Sequence, residues 1–296
     1  MKKILTLLFT LTLSTALALA APKTIRVLAI GNSFSEDAIE QNLYELARAD
    51  GRTIIIGNLY IPGCSLERHL QNAQTDAPAY RYRKITADGQ MTQTDNVSLK
   101  EALQDEQWDF ISMQQASHFS GLYSTYTPFL PQLITYVQSL MPRKAKLLWH
   151  QTWAYAADAQ HDGFRNYGRD QLLMYRAISA CSQEVMTNYA FERIVPCGTA
   201  IQNARTSIIG DHMNRDGYHL ELTYGRYTAA CTWYETIFRR SCVGNAYAPE
   251  GVTPAHKEVA QKAAHSAVKH PYTITTQQER STKKNDVKFS YSMKKP

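Results

Sequence analysis

Three residue types that together make a nucleophile stand at suggestive places in this chain. Ser33 follows Gly31-Asn32 where an apolar run ends and a helix-like pattern begins. Asp216 and His219 stand three apart in Asp-Gly-Tyr-His-Leu-Glu, just ahead of a long helical stretch. A serine hydroxyl becomes nucleophilic when an imidazole can take its proton and a carboxylate holds the imidazole in the right tautomer. Each signal has a plainer reading. Ser33-Phe34-Ser35-Glu36 also has the spacing of a capping box, so helix cap and nucleophile weigh equally on this segment alone. An Asp-x-x-His pair is weak evidence by itself. Asp211, His212, Asp216 and His219 are close enough in sequence to suggest a metal, but no other segment offers the remaining ligands, and none is assigned.

Other segments could complete a site at the same rim. In Ile-Pro-Gly-Cys-Ser-Leu-Glu-Arg-His, residues 61–69, Gly63 would let a backbone N–H approach a negative oxygen without Cβ interference. Gln114 and Gln115 could supply an amide donor, and a buried Gln needs a partner in any case. In residues 147–156, Trp149, His150, Trp153 and Tyr155 form an aromatic cluster that would stack on a sugar or fill the core. Asn32, His69, His150 and Trp153 are the candidate substrate contacts. His69, His118 and His150 fall near expected strand ends, where a structural role competes with contact to substrate.

The elements that must hold these residues alternate. Strand-like runs are expected at 24–30, 53–59, 109–113, 145–149 and 193–195. Helical spacing is expected at 36–50, 65–73, 98–104, 127–140, 169–189, 222–239 and 254–268. This alternation implies parallel strands with helices on both faces, and sites beyond the carboxyl ends of the strands. The polar stretch around Asp88-Gly89 interrupts it and reads as a hairpin insertion near 80–97.

Gly31-Asn32-Ser33, Gly63, the Gln114-Gln115 pair and Asp216-x-x-His219, in that order, resemble the SGNH hydrolase superfamily, also called the GDSL esterases. "GNSFSEDA", "GCSLERH" and "MQQAS" resemble an exported bacterial branch of it labelled a domain of unknown function. The resemblance spans about 24–239. It implies a three-layer α/β/α sandwich with a central parallel sheet, flavodoxin-like. It further implies Ser33 as nucleophile, His219 as base, Asp216 as its partner, and the N–H groups of Ser33 and Gly63 as oxyanion donors. No cofactor is implied. The chain departs from the superfamily twice: Asn32 stands where Asp is usual, and a Gln, 114 or 115, must replace the usual Asn donor. The Gly-x-Ser-x-Gly elbow of the other large serine esterase class is absent.

Composition bounds the rest. The 296 residues carry a formal charge of +6. Lys2 and Lys3 contribute two, the six basic and two acidic residues of 273–296 contribute four, and 21–272 is neutral. That argues against a nucleic-acid-binding core, which needs a clustered basic face. Residues 1–20 read as a signal peptide, giving an exported, periplasmic or extracellular protein, with a catalytic domain at 22–272 and a basic polar tail at 273–296. No stretch reads as a membrane span. The five cysteines are too few for a disulfide scaffold, and Cys231 and Cys242 would lie about 16 Å apart on one straight helix. The expected activity is hydrolysis of an ester, with an O-acetyl group on a carbohydrate as first choice. Trp149, Trp153, Tyr123, Tyr126 and Tyr155 at the rim would favour a glycan ester. A lipase or thioesterase with the same triad, and a non-catalytic glycan-binding protein on a decayed fold, are the rivals. Oligomeric state stays open.

Overall fold

The computed structural model describes residues 23–277. The expected signal peptide lies outside them, as does most of the expected tail. Five strands run parallel: β1 (Ile25–Gly31), β2 (Ile54–Tyr60), β5 (Phe110–Met113), β6 (Lys146–His150) and β7 (Arg193–Val195). A hairpin of β3 (Tyr80–Ile85) and β4 (Met91–Val97) adds antiparallel to β2, giving the order β4-β3-β2-β1-β5-β6-β7.

Strand β1 shows why the sheet must be covered twice. Val27 and Ala29 join one apolar cluster, while Leu28 and Ile30 join another on the opposite face. Side chains alternate across a strand, so a run apolar at every position is buried on both sides. The first face is covered by α1 (Ser33–Ile39), α2 (Leu43–Ala49), α7 (Cys197–Arg205), α8 (Tyr224–Phe238) and α9 (Pro254–Lys269). The second is covered by α3 (Leu66–Gln74), α4 (Leu99–Asp105) and α5 (Phe129–Leu140). Helix α6 (Gln171–Asn188) touches both clusters. The result is a three-layer α/β/α sandwich.

Three elements depart from the pattern read in the sequence. The helix expected over 36–50 is two helices. The chain breaks because Glu40 turns inward to accept from Asn58 Nδ2 at 2.5 Å and pair with Arg83 at 2.7 Å. Helix α7 was not expected. All nine of its residues are buried, so it shows no amphipathic stripe to find. Helix α8 ends at Phe238, where Arg239 adopts a left-handed φ of 52° and turns the chain back. Cys242 therefore does not ride on a straight helix with Cys231, and its thiol lies within hydrogen-bonding reach of it. All five cysteines are buried free thiols. Among the described residues no helix is long and apolar enough to cross a membrane.

Candidate functional site

β1 continues to β2 on one side, and the chain returns through β5 on the other. The strand order thus reverses between β1 and β5, where a crevice opens at the carboxyl ends. Ser33 follows β1 at this point. It is the first residue of α1, and the side chain of Asn32, not Ser33, caps the helix by accepting from the Phe34 N–H at 3.0 Å. The capping reading of Ser33 is thus replaced. Glu36, which would have closed the box, pairs instead with Arg83 at 2.9 Å. The hydroxyl of Ser33 is left for other work, and its N–H lies in the first helical turn, where no intrahelical acceptor exists.

Residues 213–221 bring His219 to that hydroxyl. Arg215 N–H donates to the His219 carbonyl, Glu221 N–H to Met213, and Asn214 bridges Leu220. Gly217 sits in this small hairpin at φ +89°, and a Cβ there would lie 2.9 Å from Ala159 Cα, so only glycine fits. Asp216 accepts from the Tyr218 N–H at 3.1 Å and from the His219 N–H at 2.7 Å, an Asx-type turn that organises its own loop. Its second oxygen meets His219 Nδ1 at 2.6 Å. Nδ1 therefore carries a proton, and Nε2 is left as an acceptor. Ser33 Oγ lies 2.9 Å from Nε2 and donates to it. Burial would raise the Asp216 pKa, but the bonds from the His219 ring and the two backbone N–H groups outweigh it and hold the carboxyl below its usual value.

A buried carboxylate fixes the hairpin to α1. Asp37, 1% exposed, accepts from Arg215 Nη1 at 3.0 Å, from Arg226 Nε at 2.9 Å and from the Leu220 N–H at 2.8 Å. Arg215 Nη1 also donates to the Leu220 carbonyl. Asp37 is one turn beyond Ser33, and Leu220 is next to His219, so this bond network sets the distance between serine and imidazole.

The crevice holds a cleft of about 210 Å³. Asn32, Ser33 and Phe34 line it together with Tyr218, His219, Tyr60, Pro62 and Gly63. Ser117, His118 and His161 complete its lining. Gly63 has φ +60° in the turn closed by Cys64 N–H to the Ile61 carbonyl, and nothing stands where its Cβ would be. Asn32 ties this turn to the Ser33 segment by donating from Nδ2 to the Cys64 carbonyl at 3.1 Å. His161 and His118 face each other at 5.8 Å between ring centres. Burial lowers the pKa of both, and the neighbouring His161 lowers that of His118 further. His161 Nδ1 accepts from the Gly163 N–H at 2.9 Å, so its neutral form carries its proton on Nε2.

Several sequence-selected residues sit elsewhere. Gln114 donates to Asn32 Oδ1 at 2.8 Å and accepts from His150 Nδ1 at 2.6 Å. Gln115 accepts from the Leu66 and Ala116 N–H groups and donates to the Thr125 carbonyl. Both amides bond to the surrounding loops, and neither residue lines the cleft. His150 and His69 are buried, the latter 2.9 Å from the Tyr80 hydroxyl, and neither lines the cleft. Trp153 is buried under Phe34, stacked at 4.2 Å, and donates to the Tyr218 carbonyl. It supports the cleft from below. Trp149, Tyr126 and Tyr155 are core as well, Tyr123 packs on Tyr126, and none of the four lines the cleft. Asn32 lines the cleft, though its amide is committed to the loops. Asp211 pairs with Arg205 at 2.9 Å and accepts from the Ala157 N–H. Of the aromatic and imidazole groups that line the cleft, Tyr60, Tyr218 and His161 are not among the residues that the sequence marks. Tyr218 lies inside the quoted Asp-Gly-Tyr-His motif, whereas His161 comes from an irregular stretch that no periodicity marks.

A family model described as "Domain of unknown function (DUF4886)" matches residues 26–267. The chain belongs to this family. The solved structure of a DUF4886 family protein from Bacteroides uniformis ATCC 8492 is 54% identical, with a TM-score of 0.85, over 86% of this chain and 98% of that one. No curated protein matches. Two more distant solved structures share 11% and 13% identity. One is a carbohydrate esterase family 3 protein from Talaromyces cellulolyticus (TM-score 0.45, 73% of this chain, 97% of that one). The other is Axe2, an acetylxylan esterase from Geobacillus stearothermophilus (TM-score 0.44, 78% and 99%). At such identities nothing about substrate passes from them to this DUF4886 chain.

Proposed function

We propose that this protein is a serine esterase of SGNH type, with Ser33, His219 and Asp216 as its catalytic triad. The observation that carries this reading is the continuous chain of two hydrogen bonds, 2.9 Å from Ser33 Oγ to His219 Nε2 and 2.6 Å from His219 Nδ1 to Asp216. Ser33 Oγ attacks the acyl carbon as its proton passes to Nε2. The tetrahedral intermediate then collapses, the carbon–oxygen bond to the alcohol breaks, and Nε2 returns the proton to the leaving oxygen. Water then attacks the acyl carbon as His219 Nε2 takes its proton, the acyl carbon–Oγ bond breaks as the second intermediate collapses, and Nε2 returns the proton to Ser33 Oγ as the acid leaves. The N–H groups of Ser33 and Gly63 serve the oxyanion. Asp216 keeps the imidazole in the tautomer that can accept.

A short acyl group on a carbohydrate is the substrate class we favour. The cleft, at about 210 Å³, falls below the roughly 300–1,000 Å³ usual for sites of larger ligands. Its walls carry Tyr60 and Tyr218, rings suited to a sugar face, and imidazoles suited to hydroxyls. The reading of residues 1–20 as a signal peptide adds export to this proposal. Hydrolysis of p-nitrophenyl acetate should be lost in Ser33→Ala with the fold retained by circular dichroism, and turnover should fall steadily from acetyl to octanoyl esters. Wild-type inactivity on every ester, or a Ser33→Ala enzyme as active as wild type, would end the reading.

A further inference from the structure

We infer that the Ser117 hydroxyl, oriented by Tyr155, is the third donor to the oxyanion. The inference rests on the esterase reading above. Both glutamines of the loop after β5 bond to other partners. The next polar side chain is Ser117, which lines the same cleft as Ser33 and Gly63 and is 7% exposed.

The direction of its proton follows from its neighbour. Ser117 Oγ and the Tyr155 hydroxyl lie 2.8 Å apart, and only one proton can sit between them. Tyr155 is completely buried, and among the described residues Ser117 Oγ is the sole acceptor within its reach. A buried phenol that pointed its proton elsewhere would leave it unsatisfied, at a cost of roughly 1–3 kcal/mol. Burial also pushes the Tyr155 pKa up, so the phenol keeps its proton. Tyr155 is therefore the donor and Ser117 Oγ the acceptor. The proton of Ser117 is then directed away from Tyr155, and the remaining open side is the cleft. A hydroxyl that already accepts one bond is polarised to donate a better second one.

The test uses the full-length protein, p-nitrophenyl acetate as substrate and methylboronic acid as a tetrahedral mimic. Ser117→Ala should lower kcat by roughly a hundred- to a thousand-fold with KM nearly unchanged, as expected for a donor acting on the transition state. Boronate binding should weaken with it. Tyr155→Phe, which frees the serine to rotate, should cost a smaller factor, on the order of tenfold. A Ser117→Ala enzyme that keeps its kcat and its boronate affinity, while Ser33→Ala is dead, overturns the inference and leaves the esterase reading standing. Should Ser117→Ala not fold, an unchanged kcat in Tyr155→Phe overturns it equally. Full activity in Ser33→Ala removes both ideas at once.

Discussion

At the scale of single residues, the site is built by division of labour between neighbours. Asn32 takes the cap, so Ser33 is not held by it. Asp216 uses one oxygen to shape its own turn and the other to address His219. Asp216→Asn is the sharpest probe of that second role. An Asn Oδ1 can still accept from the backbone, but its Nδ2 would then face Nδ1 and donate to it. The imidazole would be driven to carry its proton on Nε2, where it can no longer accept from Ser33. We expect kcat on p-nitrophenyl acetate to fall by about a hundred- to ten-thousand-fold with little change in melting temperature. A melt displaced as strongly as the rate would instead mark Asp216 as a structural residue. The buried glutamines illustrate the opposite economy. Their type said only that partners were required; the partners turned out to be loops, not substrate.

At the scale of elements, the distance between serine and histidine depends on how the 213–221 hairpin docks on α1. Asp37 is the joint, a carboxylate held by two arginines and one backbone N–H. Asp37→Ala would leave Arg215 and Arg226 without their counter-charge. Breaking a buried pair in this way costs about 3–5 kcal/mol. Urea melts should report that loss, and turnover should fall even at temperatures where the variant is folded, because His219 is no longer held opposite Ser33. Asp37→Asn keeps the acceptor for Leu220 and should lose less of both. A variant destabilised to this extent but fully active would show that the hairpin finds its place without the joint. The same scale explains why α7 escaped notice: a helix buried all round carries no stripe.

At the scale of the whole molecule, two histidines are held neutral inside the sandwich. Burial pushes His69 and His150 down to about 3, from an ordinary value of 6.5. Their unfolded forms take up a proton first as pH falls, so the unfolded state binds more protons between about 6.5 and 3. Stability then rises with pH across that window and is lost on acidification through it. Above 6.5 both states are neutral and the effect vanishes. Asp216 acts in the same direction but at lower pH, because its bonds in the folded state favour the ionised form. Denaturant midpoints measured from pH 7 to pH 4 should fall, and His150→Gln should flatten the slope. A slope left unchanged in His150→Gln would contradict the neutral burial of that ring.

Much of the fold was legible because its causes are local. The mostly apolar runs at 24–30 and 109–113, with Val27-Leu28-Ala29-Ile30 apolar at four consecutive positions, read as strands covered on both faces, and their alternation with amphipathic stretches implies the parallel order. The motifs around Ser33 and Asp216-x-x-His219 were legible for a related reason, since a strand end, a cap and an Asx turn are short-range features. What tertiary structure alone decided was every meeting between distant segments. Whether Ser33 reaches His219, 186 positions away, depends on Asp37 and two arginines. Which polar groups face the cleft depends on which partners claim the rest. A side chain's type limits the bonds it can make, but only the packed chain determines who is near enough to make them.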